Sequence, residues 1–484
     1  MNLFKRILTS VVMLVLVGVV FVWPLVTGFA LQGYFGVDLA AMSAPNRWSL
    51  RETDFQRGWF HSEAHSVLTL EGTLAKQMRE ARHVLDPRMP IQVQLIHHIQ
   101  HGPVLSLERP FLIPAVALVE TTLAFPQDTR DWLTPVFGQA PPVRVRSLLQ
   151  LNGERISRIE SPSVEGDLTD GTHLQWQGLG GTLDMTHDRV IGNLSMPLLA
   201  LSNDAGQLRI QGLALQIDSQ RHPEGLWLGD QAATLGGLSF MVPSQPEYRI
   251  SLTDFRAVSV FREEQKTLHA MISMDLGDFS MGGHLLGSGG VTLDLRQVDL
   301  MAFSVLYHAL QDSARQGVGN RAEALNQVKQ IALQQLPALT QYLPAFGITR
   351  LDLRTPQGTL HGHLRILLTG ASGTPVVSPA DLVQRLRVES ELDAPVVLLT
   401  DWMQKQVTKE MIAQGKLSGG LLEGDKLTQA SRDTAEKRLS ALVDQGLLVR
   451  YTDHYNVCAD FTKGQLTVND RPHNELLAPW QGMH

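Results

Sequence analysis

The 484-residue sequence holds one cysteine, Cys458, which excludes a disulfide framework and any centre built from several thiolates. Charge is also scarce, at 18% of residues, and the formal net charge is −7. Without a basic excess there is no counterion-release drive, so nucleic acid is not expected as a partner. Phosphate-cradling loops are missing: Gly420-Leu421-Leu422-Glu423-Gly424-Asp425-Lys426 lacks the required spacing and the hydroxyl residue after the lysine. No Gly-x-Ser-x-Gly elbow occurs, and Gly287-Ser288-Gly289-Gly290 reads as a turn before a strand at Val291. Nor is there a His-Glu-x-x-His helix. These absences leave no catalytic residue, no cofactor-binding residue and no metal ligand to name, and no cofactor is expected.

What is present starts with a long apolar run. Lys5 and Arg6 precede Ile7 to Val37, a stretch without one charged residue. About 20 apolar residues, rising about 1.5 Å each, cross a hydrocarbon core of about 30 Å. Basic residues ahead of the run and none just behind it predict a cytoplasmic N-terminus and an exported body. The rival is a cleaved signal peptide with Gly28-Phe29-Ala30 as its cleavage site. Signal cores span roughly 7–15 residues, so the longer run favours an uncleaved anchor, with the lipid bilayer as its partner.

From Trp48 to Leu295 the pattern predicts a succession of strands. Val143, Val145 and, less cleanly, Leu149 alternate with Arg144 and Arg146, while Val291, Leu293 and Leu295 alternate with Thr292, Asp294 and Arg296. Leu208 and Ile210 share one parity, whereas Leu213, Leu215 and Ile217 take the other. A one-residue β-bulge at Gly212 would return all five to one side. Gly-rich punctuation, as at Gly178 to Gly181 and Gly236-Gly237, suggests antiparallel meanders.

Helical spacing comes later. Asp299 can cap a segment carrying Phe303, Leu306, Tyr307 and Leu310, and a second piece with Leu325, Val328 and Ala332 is expected to stop at Pro337. Gln311 to Asn320 reads as the hinge between them. Strand patterns return around Leu351 and Leu364. Two helices follow, one aligning Leu399, Met403, Val407 and Met411, the other Ala435, Leu439, Leu442 and Val443 before a terminating Gly446. A hairpin from Tyr451 to Val468 closes the pattern. The expected fold class is α+β: a transmembrane helix, a β-rich antiparallel exported body, and several packed helices in the C-terminal half. The expected divisions are 1–37 (N-terminus and anchor), 38–298 (β-rich), 299–347 (helical) and 348–484 (α+β).

Two histidine groups could carry chemistry. On a strand, His61, Glu63 and His65 share one face, as a metal site or simply as polar cover opposite Ser62, Ala64 and Ser66. His97 and His101 would pair at i, i+4 on a helix, but Val93 and Leu95 point to a strand ending at Gly102-Pro103. His361 and His363 sit on the solvent parity of a strand. Cys458, between Val457 and Ala459, reads as a buried, inert thiol. A helix, Gly446 and a hairpin superficially resemble a winged helix, yet Lys437-Arg438 is the only adjacent basic pair on that helix, so helix-on-sheet packing is the simpler expectation.

Phe55-Gln56-Arg57-Gly58-Trp59-Phe60-His61-Ser62-Glu63-Ala64 resembles the opening motif of the YdgA-like family of bacterial envelope proteins, a domain of unknown function. His101-Gly102-Pro103, Leu174 to Leu179, Gly225 to Gly229, Ala441 to Leu448 and Gly464 to Asn469 resemble further family features, spanning nearly the whole chain. Asp470-Arg471-Pro472 departs from the usual Gly-Lys-Pro-like turn. The resemblance implies a single-pass protein of the bacterial inner membrane with a large periplasmic domain, and supplies no catalytic residue. The expected function is therefore non-enzymatic: binding of a hydrophobic or amphiphilic ligand, or of an envelope protein, on a β-sheet surface, with a homo-oligomer also open. The alternatives are a periplasmic hydrolase using histidines such as His61, His65, His98 and His101, or a purely structural component of a membrane complex.

Overall fold

The computed structural model describes residues 48–477 apart from 57–60, 71–90, 102–103, 108–112, 126, 151, 246, 248, 316–320, 372 and 419–423. The apolar run 7–37, Arg57 to Phe60, Gly102-Pro103 and most of the hinge's glycine segment lie outside the described residues. Among the described residues no helix is long and apolar enough to cross a membrane. The chain divides into two compact units: Met1–Arg262 with Ser280–His284 and Ser304–Leu333, and Glu263–Phe279 with Leu285–Phe303 and Gln334–His484.

The first unit is an antiparallel sheet. Its strands are β1 (Trp48–Gln56), β2 (His61–Leu70), β3 (Ile91–His101), β4 (Val104–Leu105), β5 (Ile113–Ala124), β6 (Arg144–Gln150), β7 (Arg155–Ser161), β8 (Val164–Asp167), β9 (His173–Trp176), β10 (Leu179–Met185), β11 (Arg189–Asn203), β12 (Gly206–Arg221), β13 (Trp227–Met241) and β14 (Ile250–Glu264). Pairing runs β1-β2-β3-β5-β6-β7-β10-β11-β12-β13-β14, with the β8–β9 hairpin joined to β11 through β9. Alternation decides which side faces in: Ser62, Ala64, Ser66 and Leu68 are buried, with Glu63 and His65 on the other side.

The parity switch at Gly212 has a different cause from a single bulge. Leu208, Ile210, Leu213, Leu215 and Ile217 do all face the core. The β11–β12 register is nevertheless identical on both sides, with Leu198 opposite Gln211 and Met196 opposite Leu213. Each neighbouring strand carries its own irregular residue on the same line: Pro197, Gly212 (φ +66°), Gly236 and Asp254 (φ +48°) are left out of the pairings. One extra residue per strand cancels, so four strands change parity together and no register shifts. Backbones crowd there, since a Cβ on Gly212 would come within 3.3 Å of the Gly236 nitrogen.

Helix α1 (Gln127–Phe137) covers this apolar side. Its Leu133 and Phe137, one turn apart, join Ile159, Trp176, Leu194, Leu199 and Leu208 in the main core, and Trp132 and Val136 pack against them.

The second unit contains most of β15 (Thr267–Met281) and β16 (His284–Asp299), then β17 (Ala345–Thr355), β18 (Gly358–Leu368), β19 (Leu386–Pro395), β20 (Val449–Arg450), β21 (His454–Thr462), β22 (Gln465–Val468) and β23 (Arg471–Pro472). Antiparallel pairing runs β16-β17-β18-β19-β21-β22-β23, and β20 also pairs with β21. Here the parity is corrected by an ordinary bulge: the β17 register slips by one around Thr349, keeping Leu351 and Leu353 on the side of Phe346 and Ile348.

The chain's later helices are α2 (Leu300–Arg315), α3 (Arg321–Thr340), α4 (Pro379–Arg385), α5 (Val396–Ser418) and α6 (Gly424–Asp444). Asp299 caps α2 as expected, accepting from the Ala302 N–H at 2.8 Å. Helix α3 does not stop at Pro337 but runs through it to Thr340. A proline one turn from the end sacrifices a single N–H, and Thr340 Oγ1 donates to the Leu336 carbonyl at 2.7 Å. Gly446 ends α6 at φ +75°, where Leu447 N–H bonds back to the Leu442 carbonyl at 2.9 Å. Helices α5 and α6 pack chiefly on each other, burying Val407, Ser431, Ala435 and Leu439. The C-terminal helix, expected to lie on the sheet, thus has another helix as its main partner.

Candidate functional site

The two histidine groups fall on neighbouring strands, where antiparallel register sets Glu63 opposite His98 and Ala64 opposite His97. Glu63 is clasped from two sides, by His65 Nε2 at 2.9 Å and His98 Nδ1 at 3.5 Å. The row continues across the sheet through Glu120, Arg146 and Arg158, so it is a charged outer face. His61 is exposed beside it. Among the described residues no three His, Cys, Asp or Glu side chains converge where a metal could sit.

His97 and His101 do not form a helical pair, because β3 is a strand that turns both inward. His97 Nε2 lies 2.7 Å from Ser66 Oγ and its Nδ1 lies 2.8 Å from Thr121 Oγ1, one ring nitrogen donating and the other accepting. Burial, and then the Arg155 charge, push the His97 pKa down to about 4, so the ring is neutral. Arg155 itself is lowered to about 10 by burial. A serine this close to an imidazole has the spacing of a nucleophile and its base. However, Ser66 is 1% exposed, so no substrate reaches it. His101 meets Ser62 at 2.8 Å. The inward polar row satisfies hydrogen bonds in the core.

In the second unit the sheet has two contrasting faces. One is polar: Asp352, His361, Asp393 and Asn456 stand in register across four strands. Along it His361 Nδ1 meets Asp352 at 2.7 Å, Arg387 meets Glu389 at 2.6 Å, and Asn456 donates to Asp393 at 2.8 Å. His361 and His363 are exposed, as their parity predicts. Cys458, expected to be buried, is exposed on this face. Partial burial and the nearby Glu391, Asp393 and Asp470 carboxylates raise its pKa, so the thiol stays protonated and a poor nucleophile despite its access to solvent.

The other face is apolar. Leu293 and Leu295 of β16 pair with Ile348 and Phe346, which pair with Leu364 and Ile366 of β18. Ile366 continues to Val388 and Phe461, and Gly362 to Leu392 and Val457. None of these apolar side chains is fully buried, and Phe346, Leu353 and Leu392 are each 37% exposed. At one end, Ala394 opposite Tyr455 is buried. There a cleft of about 550 Å³ opens between the start of α5, α6 and β20–β21, lined by Val397, Asp401, Arg432, Leu439, Arg450 and Tyr455 among others.

Two features escaped the sequence reading. Helix α1 has the apolar pairs Leu133/Phe137 and Trp132/Val136 at i, i+4, but Pro135 inside a strand-rich stretch disguised them. Helix α4 begins Ser378-Pro379, with Ser378 Oγ accepting from the Asp381 N–H at 3.1 Å, a capping signal that was there to be read.

Comparisons with known proteins agree with the resemblance. The chain is 23% identical over 397 residues to Protein YdgA of Escherichia coli (strain K12), covering 77% of this chain and 75% of that protein. No solved structure matches. A family model described as "Bacterial protein of unknown function (DUF945)" matches residues 4–475. With nearly the whole chain matched, this protein belongs to that YdgA-like family.

Proposed function

We propose that this chain is an envelope protein, tethered to the inner membrane by its uncharged run and carrying its body into the periplasm, that binds an elongated apolar or amphiphilic ligand without transforming it. The observation carrying the reading is the half-exposed apolar face of the second unit's sheet, with Phe346, Leu353 and Leu392 each 37% exposed on one side of paired strands. A sheet side rich in Leu, Ile and Phe gains about 25 cal/mol for each Å² removed from water, so a face left open is a standing drive toward association. The opposite face, polar and rich in charged residues, cannot serve an apolar ligand, which gives the reading a direction.

The test is site-specific photocrosslinking in intact cells. A photoreactive residue at Leu353 or Leu392 is expected to capture lipid or another amphiphile, and one at Arg365, on the charged face, to capture none. Equal labelling from both faces, or none from either, overturns the reading. The compartment is tested separately: alkaline phosphatase fused to the C-terminus is expected to be active, and an inactive fusion at normal abundance removes the envelope assignment.

A further inference from the structure

The cleft beside Tyr455 carries more information than the apolar face alone. Tyr455 shares its side of β21 with Val457 and Phe461, so the cleft floor is the last position of the apolar strip. Four ionic residues line it, Asp401, Arg432, Glu436 and Arg450. Arg432 and Glu436 are one helical turn apart and pair with each other at 3.6 Å. Asp401 and Arg450 remain: among the described residues neither has an ion-pair partner. Arg450 lies over the buried Tyr455 ring, its guanidinium carbon 5.9 Å from the centroid. The ring holds the cation by its quadrupole without neutralising it. One free cation and one free anion in a cleft that ends an apolar strip complement a ligand bearing one charge of each sign on an apolar tail.

We infer that the cleft receives a zwitterionic phospholipid headgroup, its phosphate at Arg450 and its ammonium at Asp401, while the acyl chain lies along Val457, Leu392 and Leu353. This assignment rests on the binding reading above and deepens it. A volume of about 550 Å³ suits such a headgroup and the first part of a chain.

The experiment uses the purified full chain in an amphipathic polymer, titrated with lysophosphatidylethanolamine, lysophosphatidylglycerol or a long-chain alcohol and followed by native mass spectrometry. Lysophosphatidylethanolamine is expected to bind most tightly. Arg450→Gln should weaken both lysophospholipids about tenfold or more and leave the alcohol unchanged. Asp401→Asn should erase the preference for ethanolamine without weakening the glycerol headgroup. Both positions are exposed, and unchanged thermal melts verify that the variants fold. If all three probes bind and neither substitution alters their order, the headgroup site is wrong while the apolar strip stands. If none binds, the underlying reading fails with it.

Discussion

The antiparallel strands of the two compact units share a two-sided sequence pattern and treat their apolar sides differently. In the first unit, α1 lowers Leu133 and Phe137 onto the strands, and Leu174, Leu194 and Leu199 become fully buried. In the second unit the equivalent rows, from Leu293 through Ile348 and Leu364, stay half-exposed. Alternation tells a strand which side is apolar, but cannot tell what will cover it. A covered face stabilises its own fold, whereas an uncovered one holds free energy that only a partner can release.

The largest expected contrast follows directly. Leu199→Ala should destabilise the first unit by about 2–5 kcal/mol, because a fully buried leucine leaves a cavity. Leu353→Ala should cost the second unit under about 1 kcal/mol, since part of the side chain already meets water. Urea unfolding with hydrogen exchange to assign each loss to its unit makes the comparison, and equal losses would break it.

A second effect is confined to the first unit. His97 has a folded pKa of about 4 against an ordinary value of 6.5. Between those values the unfolded chain binds more protons, so this contribution is complete above about pH 6.5 and disappears as pH falls through 4. It amounts to about 3 kcal/mol. Exchange protection of β3 should therefore decline across that window while β18 is unaffected by this group, and His97→Gln should flatten the decline. A smaller effect separates the two ways the sheets change parity. Gly212→Ala, at φ +66° and against the Gly236 backbone, should cost about 1–2 kcal/mol. Thr349→Ala, at a bulge whose residue is exposed, should lie within about 0.5 kcal/mol of wild type by the same measurement.

Much of the architecture was legible in the residues. The strand alternation of β6 and β16, the Asp299 cap, the Gly446 stop and the solvent parity of His361 and His363 depend on local periods and on which φ values a residue tolerates. The inward turn of His97 was less legible, since a polar ring joins the core only when Ser66 and Thr121 arrive from other strands to satisfy it. Pro337 misled because its cost depends on how much helix remains beyond it. Gly212 was rightly taken as irregular, but only the neighbouring strands reveal a line of four compensating residues.

Sequence by itself determined the two-sided strands, the helix ends at Asp299 and Gly446 and the uncharged run, because each follows from side-chain order and backbone sterics within a few residues. Tertiary structure decided which apolar side is covered, which histidines meet a hydroxyl, and that Asp401 and Arg450 line one cleft. Those outcomes depend on segments far apart in the chain arriving side by side, and nothing in a local pattern records that meeting.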